Sequence, residues 1–146
     1  MGSPGTGKTH LSIGIGMKAL AKGYKVLFTQ VSEMLQSLYF SKADNSYYCK
    51  LSYYLAPDLL ILDELGFKKI PAYSADDFFE VISKRYEKGS VIITTNKTFE
   101  SWGEIFADGV LASAITDRIV HYSAIINIKG PSYRRKDLKD KGGDKG

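Results

Sequence analysis

The sequence predicts an α/β fold in which a parallel sheet is flanked by helices on both faces. Apolar runs of strand length alternate with helical patterns along the chain, which is the order typical of parallel sheets. The runs are continuously apolar rather than alternating, as in strands buried on both faces. The 146 residues, 44% of them hydrophobic and 25% charged, suffice for one domain with a core and exclude a disordered or fibrous chain.

The first third of the chain predicts a helix, a strand and two further helices. The first helix follows a glycine-rich turn and runs to about Lys22, because Gly23 is a good helix stop. Residues 25–30 read as a strand, and Ser32 is the predicted N-cap of the next helix. The tyrosine-rich residues 47–54 predict a helix that packs on the rim of the sheet, with a stacking platform for bases as the alternative.

Three further strands are predicted in the rest of the chain. Residues 59–62 and 91–95 are continuous apolar runs and read as buried strands. Ser74 is the predicted N-cap of the helix between them. Residues 124–128 read as a last strand. Two helical pieces precede it, around residues 101–107 and 110–120.

The glycine-rich turn fits a phosphate-binding pattern in full. Gly2 and Gly7 are separated by four residues and followed by Lys8 and Thr9, which matches G-x-x-x-x-G-K-[ST]. Glycines let backbone N–H groups converge on phosphate oxygens, and the following helix points its positive end at them. Lys8 would reach the β- and γ-phosphates, and the Thr9 hydroxyl is a hard oxygen ligand for Mg²⁺. His10 is included as a candidate cofactor contact, although the pattern gives it no role and a helix-surface position is the alternative.

Polar residues that follow the predicted strands extend this site. Asp63 and Glu64 come directly after an apolar run, and side chains at the carboxyl end of a parallel strand face the ligand crevice. Asp63 could hold Mg²⁺ and Glu64 could deprotonate a water, whereas a solvated turn is the alternative. Asn96 could bond that water or the γ-phosphate, or belong to a turn. Arg118 could stabilise transferred charge from a neighbouring subunit, or pair with Asp117.

The basic excess is confined to the end of the chain. The net charge is +4, and from Lys129 onward there are seven Lys or Arg and three Asp residues. The remainder is neutral, so this end is either a solvated tail or an electrostatic contact to nucleic acid.

Several observations predict a cytoplasmic protein with no membrane span. Cys49 is the single cysteine and cannot form an internal disulfide, which fits a reducing compartment. It also cannot build a zinc site with only two histidines in the chain. No secretory leader is visible, and the longest uncharged apolar run, 59–62, is far shorter than the roughly 20 residues of a membrane span.

Six segments resemble, in order, the IstB-like ATP-binding proteins. These are ATPase helpers of an insertion-sequence transposase and AAA+ relatives of the DnaC and DnaI helicase loaders. The most specific segments are Asp-Glu-Leu-Gly-Phe at 63–67 and Ser-Trp-Gly-Glu at 101–104. The resemblance implies an AAA+ ATPase domain over residues 1–136 and leaves 137–146 as a basic tail that we expect to be disordered. The matching segments are residues 2–11, 59–67, 92–96, 99–106, 116–119 and 130–134.

The resemblance also implies a role for each candidate site residue, with ATP and Mg²⁺ as cofactors. Thr9 and Asp63 become the Mg²⁺ ligands, and Arg134 a further nucleotide or DNA contact. Walker A then comprises Gly2, Gly5, Gly7, Lys8 and Thr9, Walker B comprises Asp63 and Glu64, Asn96 is sensor 1, and Arg118 is an arginine finger that acts in trans.

The implied function is that of an oligomeric ATPase that assembles on double-stranded DNA and presents a target site to a transposase. A replicative helicase loader is the alternative within the superfamily, with the helicase as partner. A phosphotransferase that acts on a small metabolite is a further alternative, but it would need an arginine-rich lid over the substrate, and the sequence shows none. In the family a helical region and a strand precede Walker A, whereas this sequence begins at Met1 and Gly2. We therefore expect a sheet without that strand, and an inactive remnant is the remaining alternative.

Overall fold

The computed structural model describes residues 1–106 and 108–133 and confirms the alternation of helices and strands. Arg134 and the tail 137–146 lie outside the described residues. No helix in the described ranges has the length and apolar character needed to cross a membrane. The elements are α1 (Lys8–Ala21), β1 (Val26–Gln30), α2 (Val31–Ser41), α3 (Tyr47–Leu55), β2 (Leu59–Leu65), α4 (Ala72–Arg85), β3 (Ser90–Thr95), a 3-10 helix (Phe99–Ser101), α5 (Trp102–Phe106) and α6 (Gly109–His121).

The three strands form a parallel sheet in the order β1-β2-β3. β2 lies in the centre, where Leu59 is opposite Val26 of β1 and Ser90 of β3. The register with β3 shifts between Leu62 and Leu65. Because the strands are parallel, their carboxyl ends meet at one edge of the sheet, and this edge carries the candidate site.

Helices cover both faces of the sheet, as predicted. α1 lies on one face, where a Cβ on Gly16 would stand 2.9 Å from Cδ1 of Ile61 and 3.4 Å from Cγ1 of Val26. On the opposite face, Leu60 and Leu62 of β2 belong to the main core, to which helices α2 to α6 contribute. The main core therefore lies on the face away from α1.

Arg85 ties the ends of several elements together. Its side chain is buried at 2% exposure, and burial lowers the pKa of its guanidinium. The carbonyls that it bonds belong to the end of α3, the following turn and the start of β3, so one residue satisfies acceptors that the helix and strand ends leave open. The acceptors are Tyr54, Leu55, Pro57, Asp58 and Ser90.

The predicted last strand, residues 124–128, is wrong as a strand. Only Ile128 makes a bridge, to Gly2, and its N–H donates to the Met1 carbonyl at 2.8 Å. The Gly2 N–H donates to the Thr95 carbonyl at 3.2 Å, so Met1 and Gly2 connect β3 with the predicted strand at one end. An apolar groove of about 720 Å³ separates the two elsewhere. The Met1 ammonium also donates to the Ile126 carbonyl at 2.6 Å, but residues 124–127 form no strand ladder in the described part of the chain.

Two predicted helix caps are also wrong. Ser32 lies inside α2, which starts at Val31 with Gln30 as its N-cap. α2 follows β1 without a loop, and its first residue, Val31, is buried in the core. Ser74 lies inside α4 and is buried. The helix begins at Ala72, because Pro71, with φ of −58°, is its N-cap residue.

Candidate functional site

The phosphate loop has the backbone conformation that its glycines permit. Gly5 and Gly7 have φ of +79° and +86°, values at which a side chain would be strained. The Lys8 ammonium donates to the carbonyl oxygens of Gly2 at 2.6 Å and Ser3 at 2.7 Å, so it lies over the loop. The Lys8 side chain therefore folds back over the first residues of the loop.

The amino terminus of α1 directly follows the phosphate loop. Gly7 is the N-cap of the 14-residue helix. No acidic residue lies in the first turn, and among the described residues no side chain caps this end. The first N–H groups of a helix need an acceptor from outside the helix, and an anion supplies one favourably.

Thr9 and Asp63, the candidate magnesium ligands, are in direct contact. The Thr9 hydroxyl donates to the Asp63 carboxylate, 3.0 Å from Oδ1 and 3.1 Å from Oδ2. Asp63 is only 3% exposed, and the Thr94 hydroxyl donates to its Oδ1. Two hydroxyls therefore orient a buried carboxylate beside the phosphate loop.

Their chemistry fits Mg²⁺. The ion prefers hard oxygen donors and commonly takes only one or two protein ligands, with phosphate oxygens and water completing its shell. Within the described ranges, no group of three or more His, Cys, Asp or Glu residues could hold a metal. One carboxylate and one hydroxyl next to a phosphate loop match magnesium held together with a nucleotide.

Glu64 lies in β2, at the strained position where the register with β3 shifts. Its φ is +63°, in the left-handed region that non-glycine residues rarely adopt. Its N–H donates to the Thr94 hydroxyl at 3.0 Å, and its carbonyl accepts from the Phe67 N–H at 3.3 Å. Gly66, with φ of +82°, packs so closely that a Cβ would stand 2.6 Å from Cδ1 of Ile105. Such strain concentrates at functional sites.

One cavity of about 510 Å³ brings most of the predicted residues together. Asn96 and His10 line it, as do Glu64 and the loop, while Asp63 lies behind Thr9. The lining residues are Pro4, Gly5, Thr6, Gly7, Lys8, Thr9, His10, Glu64, Phe67, Thr94, Thr95, Asn96 and Tyr133.

Two predicted residues are not brought to the cavity in the described structure, whereas Gly2 and Asp63, although absent from its lining, contact the lining residues Lys8 and Thr9. Arg118 is absent from its lining. Its Nη1 donates to the Ala114 carbonyl at 3.1 Å, and its guanidinium lies 4.8 Å from the ring centroid of Phe79. It is not paired with Asp117 in the described structure. Arg134, the other, lies outside the described residues.

Sequence reasoning missed three residues of the site. Thr94 bonds both Asp63 and the backbone of Glu64, but in the sequence it is one more β-branched residue of a buried strand. Phe67 and Tyr133 line the cavity. The sequence signal for Phe67 was its place three residues after Glu64, whereas Tyr133 gave none, because a long-range contact brings it to the loop.

Comparison with known proteins identifies the family. A model of the IstB-like ATP binding proteins matches residues 1–141. An insertion-sequence ATP-binding protein of Geobacillus stearothermophilus is 44% identical over 139 residues, which is 95% of this chain and 55% of that protein. One of Pseudomonas aeruginosa is also 44% identical, over 97% of this chain and 54% of its own length. The chain thus spans about half the length of these relatives.

Solved structures share the fold. The AMPPCP-bound DnaA of Aquifex aeolicus has a TM-score of 0.74 at 23% identity, covering 96% of this chain and 43% of that one. The DnaC helicase loader has a TM-score of 0.70 at 26% identity, covering 88% of this chain and 75% of that one. With this AAA+ P-loop fold, the assembled phosphate site and the family match over nearly the whole length, the chain belongs to the IstB-like ATP-binding proteins.

Proposed function

We propose that the protein hydrolyses ATP, assembles on double-stranded DNA in the cytoplasm and presents target DNA to a transposase. Residues 1–136 would form the ATPase domain. The observation that carries the proposal is the cavity lined by the phosphate loop, Thr9, Glu64 and Asn96, with Asp63 bonded to Thr9 behind it. The insertion-sequence origin of its relatives supports transposition as the process.

The loop supplies the binding half of the mechanism. Backbone N–H groups of Gly5, Gly7 and the start of α1 bind the phosphate oxygens, and Lys8 moves from the Gly2 and Ser3 carbonyls to the β- and γ-phosphates. His10, which follows on α1, lies beside this path. Thr9 and Asp63 would hold Mg²⁺, whose chemical contribution is to neutralise charge on the phosphate oxygens.

Glu64 and Asn96 act on the water. Glu64 accepts a proton from a water molecule whose oxygen attacks the γ-phosphorus, while Asn96 bonds that water or the γ-phosphate. The bond between the γ-phosphorus and the bridging oxygen breaks, and ADP leaves with that electron pair. The strained backbone of Glu64 is fixed by the bond from its N–H to the Thr94 hydroxyl, which positions the residue at the cavity.

Arg118 completes the site from a neighbouring copy. Its position outside the cavity of its own chain supports a role in trans, in which the guanidinium stabilises charge on the transferred group. A homo-oligomer is therefore part of the proposal. Arg134, next to Tyr133 in the chain, would add a nucleotide or DNA contact.

A helicase loader is the second candidate, supported by the likeness to DnaC and to DnaI, which has a TM-score of 0.74 at 26% identity. The two functions share the ATPase site and differ in the partner protein. Binding of the purified protein to its transposase, compared with binding to the replicative helicase, separates them.

The experiment that tests the ATPase proposal is the Glu64→Gln variant. We expect it to bind ATP like the parent and to hydrolyse it at least about 100-fold more slowly, with or without duplex DNA, because only the proton acceptor is lost. Glu33→Gln, an exposed change in α2, is the matched control. If Glu64→Gln hydrolyses ATP at the parent rate, Glu64 is not the base. A parent that binds ATP without turnover would favour an inactive remnant.

A further inference from the structure

The cavity has two distinct ends. At one end lie Glu64, near the end of β2, and Asn96, which follows β3. This acid end is close to the start of the loop, because the Gly2 N–H donates to the Thr95 carbonyl at 3.2 Å. At the apex of the loop, the Gly5 carbonyl accepts a hydrogen bond from the Tyr133 N–H at 2.9 Å. A triphosphate with its γ-phosphate at the acid end therefore has its nucleoside towards the apex.

The segment that carries Tyr133 is fixed to the loop. Besides the bond to Gly5, the side chain of Ser132 packs on this glycine so closely that a Cβ there would overlap with it. Tyr133 is 71% exposed and is one of the residues that line the nucleotide cavity. Its backbone is thus held at the apex of the loop, with most of the residue exposed.

A nucleotide needs more than a phosphate cradle. The loop N–H groups, Lys8 and Thr9 contact phosphates, whereas a purine requires a flat apolar surface on which to stack. Among the described residues that line the cavity, three carry a ring. Phe67 belongs to the turn after Glu64, at the acid end, and His10 follows Thr9 on α1. Tyr133 is the ring at the apex.

We propose that Tyr133 stacks on the adenine base and so makes the chain's carboxyl-terminal segment part of the nucleotide site. This inference rests on the proposed ATP site. It assigns the Tyr133 ring to the base, because the bond from the Tyr133 N–H to the Gly5 carbonyl places this residue at the apex of the loop. Its backbone bond to Gly5 survives any substitution of the side chain other than proline.

The test measures two ligands, ATP and inorganic tripolyphosphate, by calorimetric titration in magnesium-containing buffer. For Tyr133→Ala we expect the Kd for ATP to rise about 5- to 100-fold, the range that loss of base stacking produces, with the Kd for tripolyphosphate unchanged. Tyr133→Phe should stay within about twofold of the parent for both, since the stacking face is kept. Tyr122→Ala is the matched control, because Tyr122 is also 71% exposed but lies outside the cavity.

The possible outcomes separate this inference from the function on which it rests. Equal weakening of both ligands by Tyr133→Ala would mean that the ring only supports the loop, and unchanged ATP binding would mean that it does not contact the base. A parent that binds neither ligand would overturn the ATP site itself. Tyr133→Trp gives an independent readout, in which ATP but not tripolyphosphate should quench the new fluorescence above the background of buried Trp102.

Discussion

Replacing Thr94 by valine removes one hydroxyl that supports both acids of the site. This hydroxyl donates to Asp63 and accepts from the Glu64 N–H at 3.0 Å. Valine keeps the volume and the β-branch, so the strand and its packing are preserved. The change therefore isolates the two hydrogen bonds at the carboxyl end of β3.

The size of the effect follows from those bonds. A bond to a charged group contributes about 1.5–3 kcal/mol and a neutral one about 0.5–1.5 kcal/mol. Because one hydroxyl serves both, we expect a loss of about 2–4 kcal/mol, or roughly 6–14 °C in Tm for a domain of this size. Misplacement of Asp63 and Glu64 should also lower kcat by about tenfold or more. The ATP Kd should change less than about threefold, since the loop and Lys8 hold the phosphates.

The assay compares thermal melts, ATP titration and turnover for Thr94→Val, Thr94→Ser and Thr116→Val. Thr94→Ser keeps the hydroxyl and should restore most of the activity. Thr116→Val is the matched control, because its hydroxyl donates only to the Ala112 carbonyl one helical turn earlier, at 2.7 Å. A Thr94→Val protein that melts and turns over like the control would refute the support role of this hydroxyl.

Three further predictions concern the subunit interface, the tail and the groove. Arg118→Ala should bind ATP without hydrolysing it, and mixing it with Glu64→Gln subunits should recover some activity; no recovery despite confirmed co-assembly would contradict a role in trans. DNA binding should be salt-sensitive and sequence-tolerant, and deleting residues 135–146 should flatten the salt dependence, whereas an unchanged slope would show that the tail is inert. Ile125→Lys, which charges the rim of the apolar groove, should reduce concentration-dependent association in light scattering, while Met17→Lys, exposed outside the groove, should not.

The strands and the phosphate site could be predicted because their signals are local. The continuous apolar run of β2 is buried at residues 59–62, as predicted, and the acids near the end of β2 then lie at the ligand edge of the sheet. The run of β3 is also predicted to be buried, but residues 91–93 are only partly buried, because they line the apolar groove. The loop pattern fixes its own geometry through Gly5 and Gly7. For the strands and the phosphate loop, the residue types in a short segment are enough to predict the local structure.

The remaining features depend on long-range neighbours. Residues 124–128 have the composition of a strand, but a strand also needs a partner, and the groove separates them from β3. Ser32 and Ser74 are residue types that often cap helices. The helices nevertheless begin earlier, at Val31 and Ala72, and both serines lie inside them. Tyr133 meets Gly5 from the other end of the sequence, a contact that no local pattern encodes.

Equilibrium binding of ATP to the parent and to Lys8→Ala tests the central claim most directly. Lys18→Ala, an exposed lysine on the same helix, is the control. In the proposed site Lys8 would supply charge-assisted hydrogen bonds to two phosphates, so its loss should weaken ATP binding by about 100-fold or more, while the control should bind like the parent. Saturable ATP binding by the parent that Lys8→Ala leaves unchanged would contradict a nucleotide site built on this loop.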